Sequence, residues 1–233
     1  MAARANGTKG PDGLKAHLQA LKSLRGRGRP QPPRLAELKA WQSRRLARTY
    51  ADLASQPRYE AATKFFLEDL YGPKDFSARD DELMRIVPVM EKLLPAKAVE
   101  TASLAIELEA LSEALDHALA KALAPGALDE ARYAEAYRRS STRAERLRQI
   151  ELVEAVGRRL DALVTKPLIG ATLKLMRKPA QLAGLGDLQD FLEEGYEAFR
   201  TMKGCDEFLD ALRTRETAIL NRLFSGASQP FAV

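Results

Sequence analysis

The sequence is poor in the residues that build most metal centres and covalent catalytic sites. It holds one cysteine, Cys205, and two histidines, His17 and His117. A single cysteine excludes an internal disulfide and any metal site built from a cysteine cluster. A ferritin-like di-iron centre needs paired Glu-x-x-His units, and neither histidine provides one. We therefore predict no metal, no cofactor and no catalytic residues, and the sequence favours a non-enzymatic protein without excluding an enzyme.

Long apolar runs and phosphate-binding motifs are also missing. No stretch approaches 18 uncharged apolar residues, so no spanning helix is predicted. The first residues lack the apolar core of a secretory signal, which predicts a cytoplasmic location, although an arginine-rich organellar transit peptide would look similar. There is no P-loop, and Gly184-Leu185-Gly186 follows a predicted helix instead of a strand. A nucleotide-dependent enzyme of either common type is therefore not indicated.

The basic character of the chain is concentrated at its start. The formal net charge of the whole sequence is +5. Residues 1–34 contain eight basic residues and one acidic residue, a net charge of +7, whereas residues 35–233 contain 29 basic and 31 acidic residues, a net charge of −2. Inferences from charge to a nucleic acid or an acidic protein partner therefore concern the first 34 residues.

Hydrophobic periodicity predicts an all-α fold. Apolar residues recur at spacings of three and four, and no alternating β-branched run is present. Proline and glycine residues divide the chain into about nine or ten helices. We predict a disordered basic tail over 1–33, one helical bundle domain over 34–225, and a C-terminal tail over 226–233.

The two longest helices are predicted over 96–124 and 142–165, packed against each other. The first carries a heptad-like seam, and the second a comparable stripe in which Gly157 permits close approach. Thr142 and Glu145 read as a capping box at the head of the second helix. His117 lies about 200° from Leu115 around the first helix, away from the seam. That position favours a solvated or capping histidine over an axial haem ligand.

The run Phe65-Phe66-Leu67-Glu68-Asp69-Leu70-Tyr71 is apolar or aromatic around most of a helical circumference. Such a helix is usually buried. A carboxylate held near a core needs a partner or a polar cavity, so Glu68 either pairs with a basic residue or faces a cleft. The residues of this candidate cleft are Phe65, Phe66, Glu68, Asp69 and Tyr71.

The same run, continued by Gly72-Pro73-Lys74-Asp75-Phe76, resembles the uncharacterised bacterial family named for its FFLEE or FFLEELY motif. The likeness covers residues 41–225, with Asp69 standing where the family name has glutamate. The resemblance implies a single helical domain. It implies no activity, cofactor or site residue.

A short string in the basic tail is typical of minor-groove binding. Arg27-Gly28-Arg29-Pro30 equals the core of an AT-hook, with Arg25 and Arg34 on either side. An extended Arg-Gly-Arg fits a narrow A·T groove, whose negative potential attracts both guanidinium groups. The alternative is a solvated linker. The candidate binding residues are Arg25, Arg27, Arg29 and Arg34.

Two further basic groups are present. Five arginines between Arg138 and Arg148 surround a predicted turn and are expected to form a solvated face. Between Pro167 and Pro179, basic residues accompany apolar ones in a pattern typical of an interfacial basic amphipathic helix. The basic residues are Lys174, Arg177 and Lys178, with Lys166 just before Pro167, and the apolar residues are Leu168, Ile169, Leu173 and Met176. We expect the apolar face of that short helix to pack into the core.

These observations favour a non-catalytic binding or interaction module that contacts nucleic acid or an acidic protein through its tail. The alternative is a small-molecule or haem-binding helical protein, enzymatic or not, with a cleft near Phe65. The sequence leaves open whether the chain forms a homodimer.

Overall fold

The computed structural model describes residues 11–25, 30–67, 81–87 and 96–233. These ranges contain helices and no strand, which confirms the all-α class. Residues 81–87 are helical. The other helices are α1 (Pro11–Arg25), α2 (Leu35–Thr49), α3 (Ala51–Ala54), α4 (Glu60–Phe65), α5 (Ala96–Ala122), α6 (Glu130–Ser140), α7 (Arg143–Val164), α8 (Pro167–Leu182), α9 (Gly186–Met202) and α10 (Asp206–Ser225).

Helix α5 is the central element, because α1, α2, α6 and α7 all pack against it. Its seam residues Leu108 and Leu115 are buried, and the expected pairing with α7 is confirmed. A second face is buried as well, running through Val99, Ile106 and Ala110. Because α5 is covered on several sides, it contains many apolar residues but no single apolar stripe.

Helix α7 begins as its sequence predicts, but its glycine faces a different helix from the one expected. The Thr142 side chain accepts a hydrogen bond from the Glu145 backbone N–H, and the Glu145 carboxylate accepts one from the Thr142 backbone N–H. Further along, a Cβ placed on Gly157 would lie 2.7 Å from a methyl group of Leu209. Gly157 therefore permits the close approach of α10, instead of the close approach of α5 that the sequence predicted.

Among the described residues, the apolar interior has three parts. The first brings α7, α9 and α10 together around Leu152, Met202 and Phe208. The second joins α2, α5, α6 and α10 around Trp41 and Tyr133, whose rings stack 4.3 Å apart. The third lies beneath α1.

Residues 11–25 differ from the expected disordered tail. They form α1, whose Leu14, Leu18 and Leu21 are fully buried. Leu14 and Leu18 pack with Val87, Val99 and Ile106 to form the third part of the core. The leucine spacing within the basic segment was a core signal, because three leucines on one helical face need an apolar partner. Residues 1–10 and 26–29 of the expected tail lie outside the described ranges.

The expected C-terminal tail also packs on the domain. The Phe231 ring meets the Trp41 ring edge-on at 5.5 Å and lies 5.7 Å from the Tyr133 ring. Pro230 is fully buried. Aromatic contacts of this kind hold a terminal segment against the domain. Composition alone does not show whether such a segment is packed or loose.

Candidate functional site

The described part of the FFLEDLY run belongs to the core. The Phe65 ring lies 5.3 Å from the Phe191 ring, and a Cβ on Gly195 would lie 2.9 Å from the Phe65 ring. Phe66 meets Phe208 edge-on at 6.4 Å. Glu68, Asp69 and Tyr71 lie outside the described residues, so the cleft that they would line remains a prediction.

Of the four candidate binding arginines, only Arg34 has a described side chain. Its Nε and Nη2 atoms lie 2.8 and 2.9 Å from the two carboxylate oxygens of Glu37. Nη2 also donates to the carbonyl of Gly126 at 2.8 Å, and Nη1 donates to the carbonyl of Ala124. Arg34 therefore fastens the start of α2 to the connection between α5 and α6. Arg27 and Arg29 lie outside the described residues, and only the backbone of Arg25 is described.

A buried polar cluster lies where α2 meets α5. Lys39 Nζ is 3.0 and 2.9 Å from the two carboxylate oxygens of Glu113. His117 Nε2 is 3.2 Å from Glu113 Oε1, and both side chains are buried. Burial lowers the pKa of His117 below its usual 6.5, although the Glu113 carboxylate acts in the opposite direction. His117 is therefore neutral at neutral pH.

This burial corrects the expectation that His117 is solvated or caps a helix. His117 does lie on the side of α5 away from Leu115, as predicted. That side is also covered by neighbouring helices, so the histidine is buried. Because the ring lies 3.2 Å from the Glu113 carboxylate, it does not face the open apolar slot that an axial haem ligand needs.

The polar cluster continues toward α7. Gln42 Nε2 donates to the Asp116 carboxylate at 3.0 Å, and burial raises the pKa of Asp116. The charge of Arg146 also acts on Asp116. Arg146 is buried, with its guanidinium 4.2 Å from the Tyr137 ring centre and its Nε donating to Ser141 at 3.0 Å. The sequence placed Arg146 among solvated arginines, since composition does not show which helix covers a given side of a turn.

A second, partly buried ion pair joins α2 to α10. Arg45 Nη1 lies 2.5 Å from Glu216 Oε1, and the Tyr50 hydroxyl donates to the same oxygen at 2.9 Å. Burial, and then the Glu216 charge, raise the pKa of Tyr50. The ion pairs Lys39–Glu113 and Arg45–Glu216 match opposite charges within the fold, which is how proteins tolerate buried charge. We interpret both clusters as structural.

Nucleophilic and metal chemistry find little support in the described ranges. Cys205 is buried, and burial raises the pKa of its thiol to about 11, so the thiolate is scarce at neutral pH. In the part of the chain that the structure describes, no group of three or more His, Cys, Asp or Glu side chains is placed to hold a metal ion.

The outer surface of α8 is the strongest candidate for a binding site. Leu168, Leu175 and Leu182 are 76, 77 and 90% exposed. Residues seven apart drift by only about 20° around a helix, so the three leucines form one row. Lys174 and Lys178 lie beside the row, and Lys166 precedes the helix. We call this surface, formed by Leu168, Leu175, Leu182, Lys166, Lys174 and Lys178, the α8 face.

The opposite side of α8 packs on α9. A Cβ on Gly170 would lie 2.5 Å from the Tyr196 hydroxyl, and Gln189 donates to the Leu173 carbonyl at 2.8 Å. Arg177 forms an ion pair with Glu193. Beside the α8 face, a shallow cleft of about 330 Å³ is lined by Gly170, Ala171, Lys174, Tyr196, Glu197 and Arg200.

The expectation for this segment was wrong about where the helix ends and only partly right about its apolar face. The helix does not end at Pro179 but continues to Leu182, with Pro179 inside it. Of the apolar residues expected to pack into the core, Ile169 and Leu173 are half-buried, whereas Leu168 and Met176 are exposed. Because Leu173 and Leu175 are about 200° apart around the helix, only one of the two can face α9. The seven-residue spacing of the row was the sequence signal for a second apolar side.

The fold and this surface together define an all-α protein with ion pairs between its packed helices and an exposed basic and apolar helix. The chain belongs to the family described as "Domain of unknown function (DUF8198)", whose model matches residues 23–230. This match agrees with the expectation of an uncharacterised family, whereas the FFLEE motif and a bacterial origin remain predictions. Neither a curated protein nor a solved structure matches the chain.

Proposed function

We propose that the protein is a non-catalytic interaction module that docks on a negatively charged partner through the α8 face. The observation that carries this proposal is the exposed row of Leu168, Leu175 and Leu182 on a helix without an acidic residue. Isolated surface leucines are common, but an aligned row of three is typical of an interaction surface.

The leucine row supplies a driving force for docking. Full burial of one leucine side chain stabilises by about 1.5–3 kcal/mol relative to exposure. The fold leaves most of this free energy unused at all three positions. A partner that covers the row gains it, which supports a binding role for α8.

The lysines select the sign of the partner's charge. Among the described residues, Lys166, Lys174 and Lys178 form no ion pair with any carboxylate, whereas Arg177 is paired with Glu193. Two cations beside an apolar row, and a third just before the helix, favour a partner with negative charge at its edges. Because residues 35–233 carry a net charge of −2, this basic region contrasts with the domain around it.

The arginine-rich segment around Arg25, Arg27 and Arg29 is proposed as a secondary contact with nucleic acid or an acidic protein. The sequence supports this role through the Arg-Gly-Arg-Pro string. Removing the first 33 residues would not test it, because that truncation deletes the buried leucines of α1. The appropriate variant replaces Arg25, Arg27 and Arg29 by serine and keeps α1.

A cytoplasmic location, which the sequence predicts, belongs to the same proposal. There, anionic macromolecules and the anionic inner surface of the cell membrane are both accessible to a basic face. Homodimerisation through the α8 face is the competing use of the leucine row. It would bring the lysines of two copies together, which like-charge repulsion disfavours.

The test uses the full chain and three anionic probes: vesicles containing phosphatidylserine, an A·T-rich DNA duplex, and a synthetic amphipathic helix rich in Glu and Leu. We expect salt-sensitive binding to at least one probe that is lost when Lys166, Lys174 and Lys178 are replaced by glutamine. The matched control replaces Lys97, Lys121 and Lys203, which are exposed elsewhere. Absence of binding, or equal loss in both triple variants, would show that the α8 face is not the docking surface.

A further inference from the structure

We propose that the α8 face lies flat on the surface of an anionic lipid bilayer. This inference rests on the proposed function and names its partner. Three observations support it: the shape of the leucine row, the position of the lysines and the absence of an acidic residue on α8.

The row has the shape of an interfacial anchor. Leu168 and Leu182 are separated by 14 positions, which at a rise of 1.5 Å per residue is about 21 Å of helix. Between the leucines on this side lie Ala171, Thr172 and Pro179, which are small and exposed. The leucines therefore project from a convex ridge. A fluid bilayer surface can close around separate projecting side chains, whereas a protein partner needs a matching groove.

The lysines are placed for headgroup contact. Lys174 and Lys178 lie on one flank of the row, and Lys166 stands at the start of the helix. Long lysine stems can follow the apolar boundary while their ammonium groups stay among lipid phosphates. Lys174 also lines the cleft between α8 and α9, which has room for a phosphate group beside the row.

Other occupants fit less well. Nucleic acid takes up basic side chains but offers no apolar surface for three aligned leucines. A second copy of α8 offers leucines but only positive charge. In the described part of the chain, no helix is long and apolar enough to cross a membrane. The mode of binding inferred here is therefore peripheral, with α8 parallel to the surface.

The first experiment measures sedimentation of the full chain with lipid vesicles. Vesicles of phosphatidylcholine with about one third phosphatidylserine should bind, and vesicles of phosphatidylcholine alone should bind weakly. Replacing Lys166, Lys174 and Lys178 by glutamine should lower the partition coefficient roughly 100-fold, at about fivefold per lysine. Replacing Leu168, Leu175 and Leu182 by serine should abolish binding. Since these leucines are exposed, circular dichroism and the urea midpoint should stay close to wild type.

The second experiment reports insertion directly. Leu175→Cys is labelled with an environment-sensitive NBD fluorophore, while the buried Cys205 stays unlabelled. The control is Ala131→Cys, at an exposed position on α6. We expect a blue shift and an intensity gain on anionic vesicles for the Leu175→Cys label only. Vesicle binding without this shift, or with equal shifts at both sites, would overturn the inference.

The outcomes separate this inference from the proposed function. If the acidic peptide or the duplex binds through the α8 face and vesicles do not, the bilayer inference fails and the proposed function stands. If no anionic probe binds, both fail. A concentration-dependent dimer in analytical ultracentrifugation that Leu175→Ser abolishes would overturn both in favour of self-association.

Discussion

Lys39 and Glu113 form a two-pronged ion pair across the α2–α5 interface, with Nζ 3.0 and 2.9 Å from the two carboxylate oxygens. The Glu113 side chain is 5% exposed and the Lys39 side chain 20%. The pair therefore lies inside the fold near His117 instead of on the surface. Its environment makes the loss of one partner more costly than the loss of both.

We expect Lys39→Met to lower the free energy of unfolding by about 3 kcal/mol, because it leaves the Glu113 carboxylate buried without its lysine. The double variant Lys39→Met, Glu113→Leu should recover much of this loss, since no unpaired charge remains. Urea unfolding at neutral pH measures both. Equal destabilisation in the single and double variants would show that packing, not charge, determines the effect.

His117 should make stability depend on pH. Burial lowers the pKa of His117 below its usual 6.5, with Lys39 also opposing protonation and Glu113 favouring it. The unfolded chain therefore takes up a proton near 6.5 that the folded chain binds only at lower pH. The contribution of His117 is fully present above 6.5 and is lost as the pH falls.

The variant His117→Gln isolates this effect. The difference in unfolding free energy between wild type and variant should shrink on acidification from about pH 8 to about pH 5, by at most about 1.4 kcal/mol per pH unit. Urea unfolding at several pH values measures the difference. A difference that stays constant over this range would contradict the altered pKa.

Gly157→Ala should destabilise the α7–α10 contact. The new methyl group would lie 2.7 Å from a Leu209 methyl, and overpacking of this kind costs about 1–3 kcal/mol. The better helix propensity of alanine offsets part of the cost. The control is Gly186→Ala, where a Cβ would meet nothing within 4 Å. Thermal and urea unfolding should rank the control above Gly157→Ala, and the opposite order would refute the close approach.

Leu18→Ala tests whether α1 is part of the core. Because Leu18 is 1% exposed, the substitution should lower the free energy of unfolding by about 2–5 kcal/mol. Gln19→Ala on the exposed side of α1 should have little effect. A loose N-terminal segment would tolerate both substitutions equally, and urea unfolding distinguishes the two cases.

The candidate docking surface shows where sequence reasoning stops. The basic and apolar pattern of residues 166–178 was visible, and the interfacial interpretation was available as the less favoured one. Periodicity indicates that a helix has apolar sides, but it does not show how many neighbouring helices will cover those sides. Leu173 and Leu175 lie on opposite sides of one helix, and only the position of α9 decides which side is left exposed.

The sequence by itself determined the helical class, the long α5 and α7, and the capping box at Thr142 and Glu145. These features depend on local spacing and capping groups, which neighbouring residues specify. Only the tertiary structure decided that α1 belongs to the core, that His117 and Arg146 are buried, and that Leu168, Leu175 and Leu182 face outward. Burial of these groups depends on helices distant in sequence, and so the same amphipathic pattern can end in a core or on a surface.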